Sequence, residues 1–383
     1  MTSIVLVTGA RADYDLLTPI FDAIEETVGL SPSFIVTGNH LSEAFGHTAN
    51  TIISDGYRIS AEVPILDERD DSAGVASATG RAVEGIHRAL ITAQPDLMLL
   101  LGDRYETLAA ALAASIARIP IAHIAGGDET QGAFDDAFRH AITKLSHLHF
   151  TTNAMATRRI VQMGEDPNHV FTVGSPGLDR FRSFVPMKRD ELLQRLGLPS
   201  RREFFVATYH PETLALDEGR AGLNALLEVF EARLESGSTS ILITGSNADP
   251  AGREFSSKVK EFSDRFEGAT YRDSLGGDLF PHAVANASCF LGNSSAGLYE
   301  APSLGTPTVD IGLRQAGRLR AESVFAANPS ASSIIDAIDS AIRFDMKDVV
   351  NPYGDGHASN RIAQAIADIP EFRSLLKKQF RFS

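Results

Sequence analysis

One cysteine in 383 residues, Cys289, leaves no partner for an intrachain disulfide and makes a reducing cytoplasm the simpler expectation. Within "ASCFLG" it reads as a small buried apolar group. Long hydrophobic runs are also missing. "LMLLLG" is strand-sized, so no membrane partner is expected, and "MTSIVLVTG" has no basic leader before Arg11 and Asp13. Positive charge is scarce: 35 Lys and Arg against 49 Asp and Glu give a formal charge of −14. That balance argues against nonspecific nucleic-acid binding but leaves room for a small anion in a local Arg cluster. Neither a P-loop nor a Gly-x-Gly-x-x-Gly dinucleotide loop is present, since Gly9 in "TGARADYD" is followed by Arg11 without the other glycines. "GNSSAG" is not the Gly-x-Ser-x-Gly elbow of a hydrolase. His147 and His149 share one side of a strand, and His123 is expected as an isolated strand histidine. No metal ligand set is expected among them.

What is present is a repeated strand–loop–helix grammar in a chain that is 43% hydrophobic. "SIVLVTG", "SPSFIVTG", "PDLMLLLGD" and "IPIAHIAGG" read as buried strands. "DYDLLTPIFDAIEE" puts Leu16, Leu17, Ile20 and Ile24 on one helical stripe, and "ETLAAALAASIARI" suits a crossover helix. Continuous apolar strands joined by helices require a parallel sheet covered on both faces. The rhythm pauses in "FRSFVPMKRDELLQRLGLPSRR" and restarts with "EFFVATYHP", "GLNALLEVFEARLE" and "SILITGSN". The expected class is α/β with two Rossmann-like domains, 1–180 and 181–362, facing each other across a cleft. A final helix, 363–383, can cross back to the first domain.

"GNSSAGLYEAPSLGTPTVDIG" places small and hydroxyl residues where a strand turns into a helix. Helix N-terminal N–H groups lack partners and favour an anion. Ser294 and Ser295 add donors, Gly297 permits close approach of phosphate oxygens, and Glu300 can accept ribose hydroxyls. Ordinary capping is the alternative use. Gly9 and Arg11 end the first strand and can meet a diphosphate; Arg314 and Arg318 lie one turn apart if helical and can offset its charge. Asp103 in "LGDRYE" follows a buried strand, either as a helix cap or as a carboxylate at the cleft. In "HIAGGDETQGAFDDAFRHAITKLSH", Asp128 follows two glycines, and Asp136 can share a helix face with Arg139 and His140. The loop "GGDETQG" offers polar groups a flexible route to the cleft. His210 in "VATYHPET" can donate to a phosphate or act as an acid, or be a buried structural histidine.

These segments, from "TGARADYDLL" through "LGDRYE" and "YHPET" to "GNSSAGLYEAPSLGTPTVDIGLRQAGR", resemble the hydrolysing UDP-N-acetylglucosamine 2-epimerase family over nearly the whole chain. The resemblance includes the bacterial enzymes of sialic-acid and legionaminic-acid synthesis. It implies a GT-B-type pair of Rossmann-like domains, a homodimer or homotetramer, no nicotinamide cofactor and no catalytic metal. It further implies UDP elimination from the sugar to a glycal, then water addition at C1 and proton return at C2. By the same resemblance Asp103 is an acid/base candidate, Asp135 supports proton transfer or water activation, and Arg139 holds the carboxylates. His210 and Arg314 contact the diphosphate. Some relatives carry glutamate where this chain has Ala125, and Asp128 can supply that acid. The implied substrate is UDP-N-acetylglucosamine, the alternative a UDP-2,4-diacetamido-2,4,6-trideoxyglucose. A non-hydrolysing epimerase, a glycosyltransferase and an inactive nucleotide-sugar binder are the remaining readings.

Overall fold

The computed structural model describes residues 1–67, 69, 71–129, 135–212, 217, 219–246 and 252–381. Two compact units divide the chain: Met1–Arg182 with Tyr353–Ser383, and Ser183–Pro352. The first unit holds β1 (Thr2–Thr8), β2 (Leu30–Thr37), β3 (Ile59–Val63), β4 (Leu97–Leu101), β5 (Ile121–Ile124), β6 (Leu148–Thr151) and β7 (Val170–Thr172). They form one parallel sheet in the order β3-β2-β1-β4-β5-β6-β7. Alternate residues feed opposite faces, as the strand period dictates. Ile4, Leu6, Leu97 and Leu99 join one apolar cluster, and Val5, Val7, Met98 and Leu100 join the other. With helices on both faces, the strand centres are buried on both sides.

Helix Arg11–Glu26 buries Tyr14, Leu17, Ile20, Phe21 and Ile24. The stripe therefore centres on Tyr14, not on Leu16, which is only partly covered. The Tyr14 hydroxyl can be buried because it donates to Asp55 Oδ2 at 2.6 Å. Truncating Leu17 to alanine at this seam costs about 2–5 kcal/mol by analogy with other buried leucines.

The chain's return begins at Tyr353 rather than at 363. Tyr353 O accepts from Ser175 N at 2.6 Å, and the helix Ala358–Ala367 buries Ile362, Ala363 and Ile366 in the cluster that holds Leu17 and Ile20. Asp179 caps that helix from outside, accepting from Ala358 N at 3.0 Å and Ser359 N at 2.6 Å. Pro370 follows the helix, so 363–383 is not one helix. A 3-10 turn, Phe372–Leu376, and an extended tail complete it.

The second unit repeats the plan with β8 (Glu203–Thr208), β9 (Thr239–Thr244), β10 (Ala269–Arg272), β11 (Cys289–Gly292), β12 (Thr308–Ile311) and β13 (Val324–Ala327). Its parallel order is β10-β9-β8-β11-β12-β13. The charged stretch before β8 folds as helix Arg189–Leu196, whose Leu192, Leu193 and Leu196 pack on Phe204, Val206 and Phe290. Cys289 is fully buried, and burial pushes its thiol pKa up. Each sheet reverses its winding beside its first strand, at β1/β4 and at β8/β11. Ligand crevices of open parallel sheets lie outside the carboxyl ends at such points. Among the described residues no helix is long and apolar enough to cross a membrane.

Candidate active site

In the first unit, Gly9 and Asp103 end the two strands that flank the reversal. Gly102 takes a left-handed turn (φ +78°), which glycine adopts without strain, and Asp103 follows. The Gly102 carbonyl accepts from His123 Nε2 at 2.8 Å. Burial lowers the His123 pKa to about 3, so the neutral ring donates through Nε2 and its Nδ1 faces Thr143 Oγ1 at 3.2 Å. His123 is thus not isolated: it ties β5 to the turn before Asp103.

Helix Asp135–Leu145 supplies the counter-ion. Arg139 is buried and donates to Asp103 Oδ2, to Asp136 Oδ1 at 3.1 Å and to the main-chain carbonyl of Asp128 at 2.8 Å. Asp136 Oδ2 also lies 3.5 Å from His140 Nε2. One guanidinium thereby gathers the ends of β4 and β5 and its own helix. Asp135, in the first turn of the same helix, is half-buried. Burial and then the charge of Asp103 push its pKa up, against Arg104 and Arg139. A carboxyl so placed can keep a proton more readily than a solvated one.

Asp128 stands differently. Its carboxylate accepts from Thr152 Oγ1 at 2.9 Å and from Asn153 Nδ2 at 3.0 Å, while Asn153 caps the helix Ala154–Gln162. Ala125 has φ +61°, a strained conformation for a residue with a side chain, and its methyl packs on the apolar cluster under Ile124 and Phe150. The residues of "GGDETQG" from 130 to 132, expected to reach toward the cleft, lie outside the described residues.

Around Gly9 the structure adds groups that sequence reasoning passed over. A Cβ on Gly9 would stand 2.6 Å from Glu106 Oε1, and Gly9 N donates to Asp13 Oδ2 at 3.3 Å. Arg104 Nε donates to Glu106, whose other oxygen is buried without a hydrogen-bond partner among the described residues. Burial raises the Asp13 pKa to about 6, with Arg104 opposing and Glu106 adding to the shift. Arg11 is largely exposed and lies 3.9 Å from Asp15.

In the second unit the reversal is knotted by Asn293, a residue not singled out in the sequence. Its Oδ1 accepts from His210 N at 2.7 Å, and its Nδ2 donates to His210 O at 2.8 Å. Its carbonyl accepts from Gln315 Nε2 at 2.7 Å and Arg314 Nη1 at 3.3 Å. The ends of β8 and β11 are thus tied through the Asn293 side-chain amide, and the loop after β12 is tied to the main-chain carbonyl of the same residue. Gly292 permits this, with φ +129° and no room for a Cβ against the Thr208 carbonyl. His210 is buried, and burial with the nearby Arg314 charge lowers its pKa to about 4. It is a neutral donor or acceptor near pH 7.

The helix after "GNSS" is a single turn, Ala296–Tyr299, and a 3-10 turn begins at Pro302. The proline stops the helix, so its dipole is smaller than a full helix would provide. Ser294 Oγ accepts weakly from Ala296 N at 3.4 Å, whereas the Ser295 hydroxyl has no hydrogen-bond partner among the described residues. Gly297 N donates to Ser294 O at 3.1 Å, and a Cβ there would stand 2.7 Å from Thr308 Cγ2. Its smallness serves packing on β11 and β12. Glu300 is half-buried, one turn beyond Ala296. Arg318 donates to Gln315 Oε1 at 2.8 Å and lies 5.9 Å from the Tyr299 ring centroid. Among the described residues no group of three or more His, Cys, Asp and Glu is arranged to hold a metal ion.

Residues 22–367 match the family described as UDP-N-acetylglucosamine 2-epimerase. A UDP-N,N'-diacetylbacillosamine 2-epimerase (hydrolyzing) from Legionella pneumophila is 32% identical over 375 residues, covering 98% of each chain. A UDP-N-acetylglucosamine 2-epimerase from Neisseria meningitidis is 30% identical, covering 99% of each. The crystal structure of a UDP-GlcNAc 2-epimerase from Neisseria meningitidis bound to UDP-GlcNAc superposes with a TM-score of 0.76 at 18% identity, over 96% of this chain and 100% of that one. That likeness places the two Rossmann-like units in the GT-B fold class. With its fold, its two strand-end clusters and these matches together, the chain belongs to the UDP-N-acetylglucosamine 2-epimerase family.

Proposed function

We infer that this enzyme is a hydrolysing 2-epimerase of UDP-2-acetamido sugars, converting substrate and water to the free 2-epimeric sugar and UDP. The observation that carries the reading is the Arg139 junction, which collects Asp103 from the end of β4 and Asp136 from its own helix while Asp135 stands in that helix's first turn. A base takes the C2 proton as the C1–O bond to UDP breaks, leaving a C1=C2 glycal. Water then adds its oxygen to C1, and a proton returns to C2 on the opposite face. Asp103 and Asp135 are the proposed acid/base pair, and Asp128 orients the loop behind them. Proton transfer by positioned carboxylates contributes roughly 10²–10⁴-fold.

UDP binding is assigned to the second unit: Ser294, Ser295, Arg314, Arg318 and neutral His210 toward the diphosphate, Glu300 toward the ribose. In the first unit, Gly9, Arg11 and Asp136 are proposed as substrate contacts. Charge-assisted donors aimed at the departing diphosphate stabilise negative charge as it develops. The proposed substrate is UDP-N-acetylglucosamine, with N-acetylmannosamine as product. A second reading, UDP-N,N'-diacetylbacillosamine, is favoured by the 32% identity to the Legionella pneumophila enzyme of that name. A cytoplasmic homo-oligomer in sialic- or legionaminic-acid synthesis fits either.

The test is incubation with each nucleotide sugar in deuterated water, without acceptor, followed by product NMR. Release of UDP with a deuterated, inverted C2 supports the reading. Recovery of an intact epimeric nucleotide sugar points to a non-hydrolysing enzyme, and binding without turnover removes the catalytic claim.

A further inference from the structure

The helix that presents Asp135, Asp136 and Arg139 is gripped at its far end by a segment more than 230 residues away in sequence. Lys378 Nζ donates to the carbonyls of Lys144 at 2.7 Å and Ser146 at 2.6 Å, and to Glu165 Oε2 at 2.7 Å. An ammonium has three N–H bonds, and all three are used. The carbonyls closing a helix lack intrahelical partners, and a cation there opposes the negative end of the dipole. Ser146 is fully buried, so water is poorly placed to replace this donor.

The grip is reinforced around Glu165. His149 Nε2 at 3.0 Å and Lys144 from the helix's last turn both reach its carboxylate. Burial alone would raise the pKa of Glu165, yet hydrogen bonds from His149, Lys144 and Lys378 hold it at about 2. Arg381 N donates to Gly164 O at 2.9 Å, and its guanidinium reaches Asp166 at 2.9 Å. The Phe380 ring covers Gly164, where any Cβ would overlap it, and lies 5.0 Å from Lys144 Nζ. His149 also pairs in register with His123, the residue that holds the turn before Asp103.

We propose that Lys378 is a positioning residue for the reaction, its clasp on the end of helix Asp135–Leu145 fixing where that helix sets Arg139 and Asp135; this rests on the functional reading above. Arg139 and Lys144 are five residues apart, roughly 7.5 Å along the axis, so a shift at one end of this short rod reaches the other. A misplacement of about 1 Å in a catalytic group can cost on the order of 10²-fold in rate.

The experiment compares the full chain with Lys378→Met and Lys378→Arg, well below their unfolding midpoints. UDP release from UDP-N-acetylglucosamine gives kcat and KM, titration gives UDP affinity, and amide hydrogen exchange reads helices Asp135–Leu145 and Tyr105–Ala117. Expected for Lys378→Met are a kcat loss of about 10-fold or more, KM and UDP affinity within about twofold, and faster exchange at 140–146 but not in Tyr105–Ala117. Arginine, which keeps the charge and donors, recovers part of kcat. Unchanged exchange at 140–146, an equal rise in both helices, or an unchanged kcat with a loosened helix overturns the proposal. Should Lys378→Met not fold, Arg381→Ala releases the same clasp more gently and is read by the same outcomes. Failure of the wild-type chain to release UDP from either sugar would count against the functional reading, whereas exchange reports on the clasp itself.

Discussion

Replacing Arg139 by methionine keeps most of the side-chain volume and removes donors to Asp103, Asp136 and the Asp128 carbonyl together. All three have an ionised donor, two of them meeting a carboxylate, and bonds of this kind are worth about 1.5–3 kcal/mol each. Asp103 and Asp136 keep 23% and 30% of their side-chain surface in water, so solvent recovers part of that loss. The expected destabilisation is about 2–4 kcal/mol, read as a lower urea midpoint at unchanged slope. Catalysis should suffer more. With the guanidinium gone, Asp135 loses one of the two charges that restrain its upward shift, while Asp103 continues to raise it. The acid limb of kcat should therefore move to higher pH, and kcat at its optimum should fall about 10²-fold or more. Lysine should restore some charge but not the fork that serves several acceptors. A destabilisation below about 1 kcal/mol with an unmoved acid limb would refute the view that this residue organises the carboxylates.

Asp103→Asn should lower turnover sharply while UDP affinity stays nearly constant; a near-normal rate in steady-state assays would remove Asp103 from the acid/base set. Ser294→Ala combined with Arg314→Ala should chiefly weaken UDP binding, by about 10-fold or more, and calorimetric titration showing unchanged affinity would contradict the anion-site placement. Gly292→Ala forces a Cβ against the Thr208 carbonyl at φ +129°, and should cost about 3 kcal/mol or more in thermal or urea unfolding. Burial lowers the pKa values of His40, His147 and His210 to about 4 and of His123 to about 3. These rings bind protons on unfolding, so their contribution is complete above about pH 6.5 and declines as pH falls toward 4. Asp13, raised to about 6, acts oppositely between its ordinary value and 6, and Asp22, Asp135, Glu212 and Asp310, which burial also raises, act in its sense; His149, lowered by burial, sides with the other rings, whose downward shifts set the net direction. Urea midpoints should fall from pH 7 to 4.5; a flat profile would contradict these burials.

Strand ends were the most legible features of the chain. Apolar runs followed by Gly9, Gly102 and Gly292 mark where backbone turns out of a parallel sheet, and the polar residues after them form the two clusters. Local spacing also disclosed Asp136 beside Arg139, because three residues on a helix are neighbours. What escaped depends on contacts far apart in sequence. Asn293 lies within "GNSSAG", but its two bonds to His210 span 83 residues. Asp128 could not be seen to engage Thr152 and Asn153, nor Gly9 to lie against Glu106, before the sheet order was known. The sequence marks a helix start after Ser295 without its length; Pro302 leaves it the single turn Ala296–Tyr299. Tyr14 displaces Leu16 from the core since Asp55 satisfies its hydroxyl, a partner 41 residues away.

The route of the backbone sets an order of assembly. Residues 183–352 are contiguous, so that unit has every strand it needs once Pro352 has been synthesised. The other unit begins first and finishes last, since Ile362, Ile366 and the Lys378 clasp arrive only after the intervening stretch. During synthesis the sheet of β1–β7 must wait with the apolar face under helix Arg11–Glu26 incompletely covered. Such exposure makes a nascent species prone to association, and a chain released before Tyr353 should retain the later-made unit as its better-folded part.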